Sequence, residues 1–534
     1  MLKAAEIPVP IEAGLLQKML MLQQLKISAQ EAEKLKQAQT IAQLKEQLRL
    51  AYIRRYARSS EQFAEINDRQ GNLFDEGEYP PVMQEPVETQ SSILVAEHTR
   101  KVQRGKRQEL PDYLPVRQIE YTLPEAELIG PNGEVFTQIG TEVLKQLEVI
   151  PAEVRIIEHI RHKYAVKGRE ELGVRLAPMP KQPIPKSIAS PGLLAHIVQA
   201  KYEHHLPLYR QEQIWKSLDV HLPDNTLGRW MVQAGELVQP LVAYLMEEIK
   251  QHRHIHVDET PVTVIKDEHK ASDAVSHQGY MWVYTNHLGV VFDYRSSRSG
   301  SHPEEMLEEF KGYVQSDAYA GYNGLFKDGS RKSVGCFAHA RRKFADIKKM
   351  AGKKHKTPVV DHVLNLIAKL YHLESQAKEK ELTETEIYEL RQEKAVPILR
   401  RLEGYLRETL PKTPPQGMLA KAMQYALNHW ETLYRYTEDG TLNIDNNPAE
   451  RAIKPFTLGR KNWLFAGNTD SAKAGANLYS LIESAKLYQL KVYDYLSYVF
   501  EHLPNADTPR KIEMLLPQYA QAHVPKIKPE IYKK

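Results

Sequence analysis

One cysteine, Cys336, stands in the 534 residues. A single thiol excludes an intramolecular disulfide framework and suits a reducing cytoplasm. No apolar run approaches the roughly 20 residues of a membrane span. The N-terminus also lacks the charged-then-apolar layout of a signal peptide. Charge of one sign is scarce too: the net value is +4, so a nucleic-acid partner cannot be read from the total. It has to be read from local clusters. From Arg331 to Lys356 ten Lys/Arg residues stand against one acid, Asp346, which is either a phosphate-facing surface or a solvated face. The length allows about three or four domains and a large core.

In chain order, residues 1–65 read as a long helix. Leu20, Ile27, Ile41 and Leu48 recur at one heptad position, and Leu16, Leu44 and Ala51 at another, while Gln23, Gln30, Lys34 and Gln37 interrupt the seam. This is a modest coiled coil for a dimer, or one amphipathic helix on the body. Residues 66–115 are a linker with the basic end His98–Arg107, able to touch phosphates or simply solvated. Residues 116–177 suggest short strands, among them Val154–Tyr164, and its His159 and His162 read as surface residues. A Pro-rich joint then leads into a helical segment, 178–250. There Ser190-Pro191 opens a helix through Tyr202, Pro207 starts a second, and Asp224 and Asn225 cap a third over Thr226–Gly235. Helix, short turn, capped helix is a helix-turn-helix plan, with Thr226 and Arg229 at the DNA-reading end, or a plain three-helix unit.

From residue 251 the pattern changes to strands. His254-Ile-His-Val-Asp258 alternates, two strands follow around the loop Asn286-His-Leu288, and Pro303–Phe310 is a short helix. Gly312–Ser316 is then a strand that delivers Asp317. Three antiparallel strands, a helix and a parallel strand is the ribonuclease H-like order, which places acids on the first strand, after the fourth, and on a later helix. Asp258, Asp317 and Glu450 fill those places. Glu259 points to the other strand face. His254 and His256 share Asp258's face, and strand histidines there more often hydrogen-bond an acid than hold a transition metal. Cys336-Phe-Ala-His339 reads as a buried Cys and a helix-start His rather than half a zinc site.

Residues 345–440 read as a helical insertion dividing a core of 251–344 and 441–502, and 503–534 as a loose tail. In Ile444–Asn468, Asn447 suits an N-cap, Pro448 the first helical position, and Glu450 the first turn. Alone this segment suggests a capping-box-like contact and a Glu450–Lys454 pair. Beside two strand-end aspartates, Glu450 instead becomes a third ligand for divalent metal. Glu483, in Leu481–Lys486, is the alternative third acid, although its setting reads as a packing helix.

The segment Ile444–Asn468, with Val257-Asp-Glu-Thr-Pro261, Ser316-Asp-Ala-Tyr-Ala-Gly-Tyr322 and Cys336–Phe344, resembles the transposases of insertion-sequence family 66, from the coiled coil to about residue 500. The resemblance implies an α/β fold: a ribonuclease H-like catalytic core with a helical insertion. Before it stand a coiled coil, a degenerate zinc-finger-like module and a helix-turn-helix-like domain. It favours the dimer zipper. It also implies Mg²⁺, with Mn²⁺ as substitute, bridged by Asp258 and completed by Asp317 and Glu450. Two such ions about 4 Å apart support water-driven cutting and then attack by the freed 3′-OH on target DNA. Double-stranded DNA, a homodimer or higher assembly, and accessory proteins of the same element are the implied partners, in the bacterial cytoplasm and with no membrane. Arg341, Arg342, Lys343, Arg460, Lys461 and Trp463 are the DNA-facing candidates beside Thr226 and Arg229. The family's zinc module carries paired cysteines, but here Gly130–Gly133 and Val166–Arg169 stand near those places, so no zinc is expected there.

Overall fold

A computed structural model describes residues 154, 156–160, 162–164, 175–176, 179–266, 276–352 and 356–527. The expected coiled coil, the linker with its basic end, and most of the zinc-finger-like module lie outside these residues. The chain divides into a small unit, Ala64–Met179, and a main unit. In the small unit β1 (Lys163–Tyr164) pairs antiparallel with β2 (Arg175–Leu176). Among the described residues of Val154–Tyr164, strand forms at the last two, and Ile156 is 90% exposed.

The main unit begins with three helices. Ser190 caps α1 (Pro191–Tyr202) by accepting the Leu193 N–H, as expected, and α2 spans Leu208–Ser217. The third helix was expected to end at Gly235, but α3 runs 27 residues, Asp224–Lys250. The reason is apolar spacing: Leu227, Trp230, Met231, Ala234, Val238, Leu241, Leu245 and Ile249 continue one buried stripe. Pro240 lies on the exposed side, where a missing N–H costs least. This stripe belongs to the same apolar core as the sheet.

The sheet is mixed, in the order β5-β4-β3-β6-β7. Strands β3 (His254–Lys266), β4 (His277–Thr285) and β5 (Val290–Arg295) form an antiparallel meander with Asp258 opposite Val283. After the short helix α4 (Ser301–Met306), β6 (Gly312–Gln315) returns parallel to β3, and β7 (Arg331–Val334) lies parallel to β6. The anticipated order of three antiparallel strands, helix and parallel strand is thus observed, in a mixed α/β fold.

The insertion is helical, from α5 (Phe337–Ala351) and α6 (Pro358–Glu379) through α7 (Glu384–Leu390), α8 (Val396–Thr409) and α9 (Met418–Asn428) to α10 (Trp430–Tyr434). It has its own core around Phe344, Leu370, Leu399 and Met423, and that core takes in Val334 and Phe337, ahead of the expected boundary at 345. Arg391 is buried there. It pairs with Glu374 and donates to the carbonyls of Tyr436, Asp439 and Leu442, which fixes the chain returning toward Glu450.

That return forms α11 (Asn447–Trp463), which packs Ala449, Ile453 and Phe456 inward against β3 and β4. Leu464, at φ 64°, then turns the chain into β8 (Phe465–Asn468), parallel to the far end of β3. Helices α12 (Thr469–Leu487) and α13 (Val492–His502) complete the body. The tail was expected to be loose over 503–534, and its described part, up to residue 527, is packed instead. Leu515, Leu516, Ala520 and Val524 join the main core, and the Tyr495 hydroxyl donates to the Leu515 carbonyl at 3.0 Å. Burial of these four apolar residues seats the segment. Among the described residues no helix is long and apolar enough to cross a membrane.

Candidate active site

One edge of β3 is shared by two partners: β6 pairs with it up to His256, and β8 pairs from Thr263 onward. Asp258 lies in the gap between them, where α11 packs on the sheet. Asp317 follows β6, and its Oδ1 accepts the Tyr319 N–H at 3.0 Å, which orients the carboxylate in a tight turn. Glu450 sits on the first turn of α11.

These three acids share one electrostatic neighbourhood. Asp258 is pushed up to about 8, first by burial and then by the like charges of Glu259, Asp317 and Glu450, against a backbone N–H bond that works the other way. A carboxylate so crowded stays protonated near neutrality unless a cation offsets its neighbours. Glu450 Oε1 is buried without a hydrogen-bond partner among the described residues. Carboxylate oxygens are the donors a hard divalent cation takes, and among the described residues the three acids do not form a donor set within 4.8 Å of one another. Glu259 has its own partners. It accepts from Arg298 Nε at 2.7 Å and from the Tyr322 hydroxyl, and burial raises its pKa.

His256 corrects an expectation. It does not bond Asp258. Its Nδ1 lies 2.9 Å from Asn446 Oδ1 and its Nε2 2.8 Å from Asn443 Nδ2. Burial pulls it down to about 4, so the ring is neutral, donating through Nδ1 and accepting through Nε2. Asn446 also donates to the Val257 carbonyl, and its backbone N–H points to Cys336 Sγ at 3.2 Å. Asn446, rather than Asn447, is consequently the cap position of α11, with no side-chain cap bond. Glu450 faces His339 and Arg342, at 3.7 and 3.8 Å, in place of the capping-box contact.

The DNA-facing candidates separate. Arg229, Lys343 and Lys461 are exposed, and Thr226 is half-buried on the first turn of α3. Lys343 also lies over the Tyr425 ring, 4.3 Å from its centroid. Arg341 and Arg342 are half-buried on α5, and Arg342 reaches Glu450. Arg460 is tied into the fold, donating to Thr260 Oγ1 at 3.1 Å and to the Pro261 carbonyl. Trp463 is half-buried, with its ring edge-on to Phe456. Glu483 is buried and paired with Lys486 at 2.9 Å, a packing role in α12. A cleft of about 410 Å³ opens beside Asp317, lined by Tyr319, Tyr322, Cys336, Tyr425 and His429. Sequence reasoning missed Asn443 and Asn446 as structural partners; their signal was a run of polar side chains just ahead of an amphipathic helix.

Residues 186–474 match the model of the transposase IS66 family, and residues 480–518 match the IS66 C-terminal element. The chain belongs to the IS66 transposase family. Two further models match outside or at the margin of the described residues. One is transposase C of IS166 homeodomain at 43–119, and the other is the zinc-finger binding domain of transposase IS66 at 132–165. The second match stands against the expectation of no zinc, although the matched stretch contains His159 and His162 and no cysteine. Among curated relatives, an uncharacterized protein y4jD of Sinorhizobium fredii is 32% identical, over 76% of this chain and 81% of that protein. A second, y4qI of the same organism, is 31% identical over 71% of each. A Mos1 transposase paired-end complex with left transposon end aligns over 48% of this chain and 79% of that one. Its identity is 9% and its TM-score 0.13, too low to bear on the fold.

Proposed function

We propose that this chain cuts and joins DNA at the ends of an insertion sequence, using Asp258, Asp317 and Glu450 on a ribonuclease H-like core. The observation that carries this reading is the match to the IS66 transposase family, with Asp258 on the central strand β3, Asp317 just after β6 and Glu450 on the first turn of α11. Asp258, Asp317 and Glu450 would hold Mg²⁺, or Mn²⁺ in its place. The bound metal supplies Lewis-acid stabilisation of charge on phosphate oxygens and a lowered pKa for an attacking hydroxyl. The chain's own work is positional. Asn446 and His256 tie the Glu450 helix to the Asp258 strand, and Arg391 fixes the approach to it. Arg229, Lys343 and Lys461 present cations to the phosphate backbone, which positions a duplex without reading its sequence. The assembly is proposed as a dimer or higher, in the bacterial cytoplasm, with accessory proteins of the element as further partners.

The test is joining in vitro: purified protein, its own element ends, a target duplex and Mg²⁺. End-joined product that disappears with EDTA is expected. Cutting without joining would point to a plain metal-dependent nuclease. Tight end binding without cutting would point to an accessory binding factor.

A further inference from the structure

We propose that Cys336, His339 and Glu450 form a second metal site, suited to a zinc-type divalent ion, at the edge of the acid cluster. Strand β7 ends at Val334, Cys336 is the cap residue of α5, and His339 follows on its first turn. A spacing of three residues puts both side chains on one side of that helix start. Glu450 arrives from the first turn of α11. One donor atom from each residue lies within 4.8 Å of the other two.

The unmatched atoms point into this space. His339 Nδ1 and Glu450 Oε1 are both buried and lack a hydrogen-bond partner among the described residues, yet they face each other at 3.7 Å. Zinc bonds of about 2.0 Å to nitrogen and oxygen and 2.3 Å to sulfur, in a tetrahedron, separate donors by roughly 3.3–3.8 Å. The imidazole and carboxylate already meet that spacing, and the sulfur needs to close by about 1 Å. Thiolate, imidazole and carboxylate together select a borderline-soft ion over Mg²⁺, and three protein ligands leave a fourth position open. Cys336 is 4% exposed, and burial pushes its thiol up to about 12 although its sulfur accepts the Asn446 N–H, so binding of an ion here releases the thiol proton to solvent. An ion held here engages Glu450 and withholds it from Mg²⁺. That inhibitory consequence rests on the function proposed above; the binding itself does not.

The single cysteine makes the test specific. Co²⁺ is titrated into the full-length protein, and thiolate-to-cobalt charge-transfer absorption is recorded, a band that only Cys336 can produce. The band is expected in the wild type, is abolished by Zn²⁺, and is missing in Cys336→Ser. His339→Gln and Glu450→Gln weaken Co²⁺ binding about tenfold or more, while Asp317→Asn keeps the band. Circular dichroism establishes that each variant is folded. No band from folded wild type, or a band equally strong in both His339→Gln and Glu450→Gln, overturns the proposal. If Glu450→Gln still joins DNA, the assignment of Glu450 as the third acid fails while the cobalt result stands.

Discussion

Asn446 and His256, 190 residues apart in sequence, are joined by a 2.9 Å hydrogen bond that ties the helix of Glu450 to the strand of Asp258. The same Asn446 amide donates to the Val257 carbonyl at 2.9 Å. Its replacement in Asn446→Ala leaves a buried ring N–H and a buried carbonyl without partners. Each such loss costs about 1–3 kcal/mol. We expect Asn446→Ala to lower unfolding free energy by roughly 2–4 kcal/mol and to cut DNA joining more than DNA binding. Denaturant unfolding and an end-binding assay check this, and a stability change within error would contradict it.

Asp258 gives the metal-free protein a pH dependence of unusual sign for a carboxylate. Its folded pKa, about 8, lies above the value of about 3.9 for an unfolded aspartate. Between these limits the native state holds a proton that the unfolded state has lost. Stability therefore falls as pH rises from about 4 to about 8, by up to about 1.4 kcal/mol per pH unit. Thermal unfolding in EDTA is expected to show this slope for wild type and a flatter one for Asp258→Asn. Mg²⁺ is expected to restore stability at the alkaline end. Equal slopes in the two proteins would remove Asp258 as the cause.

The elements that carry the three acids were legible beforehand: the strand bearing Asp258, the short strand ahead of Asp317, and the Asn-Pro helix start ahead of Glu450. What was not legible depends on contacts between distant segments. No local spacing announces that His256 meets Asn443 and Asn446 rather than Asp258, or that Glu450 joins Cys336 and His339. Strand β8 was missed because Phe-Ala-Gly-Asn carries little strand pattern and forms only when Leu464 reverses the chain.

Gly235 marks a close approach rather than a helix end. A Cβ there would stand 2.4 Å from the Ala474 Cα and backbone of α12, which cannot yield as a flexible side chain would. Gly235→Val is expected to destabilise the main unit by about 1–3 kcal/mol or more, whereas Gly404→Ala, which meets nothing within 4 Å, is expected to be neutral or stabilising. Paired melting curves decide this, and a neutral Gly235→Val would refute the tight α3–α12 contact.

Glu483 separates packing from chemistry. Its carboxylate is buried against Lys486, and burial raises its pKa. Glu483→Gln is expected to shift the melting temperature while leaving DNA joining within a few-fold of wild type. A Glu483→Gln protein that is folded yet unable to join DNA would transfer the third acid to this position.

The most direct measurement is a comparison of Asp258→Asn, Asp317→Asn and Glu450→Gln on two substrates, intact element ends and ends already cut to expose the 3′-OH. A single site serving both steps predicts that each substitution abolishes cutting of the first and joining of the second while end binding persists. Joining of precut ends within about tenfold of wild type, a difference of about 1.4 kcal/mol, in any one of the three folded variants would contradict the account.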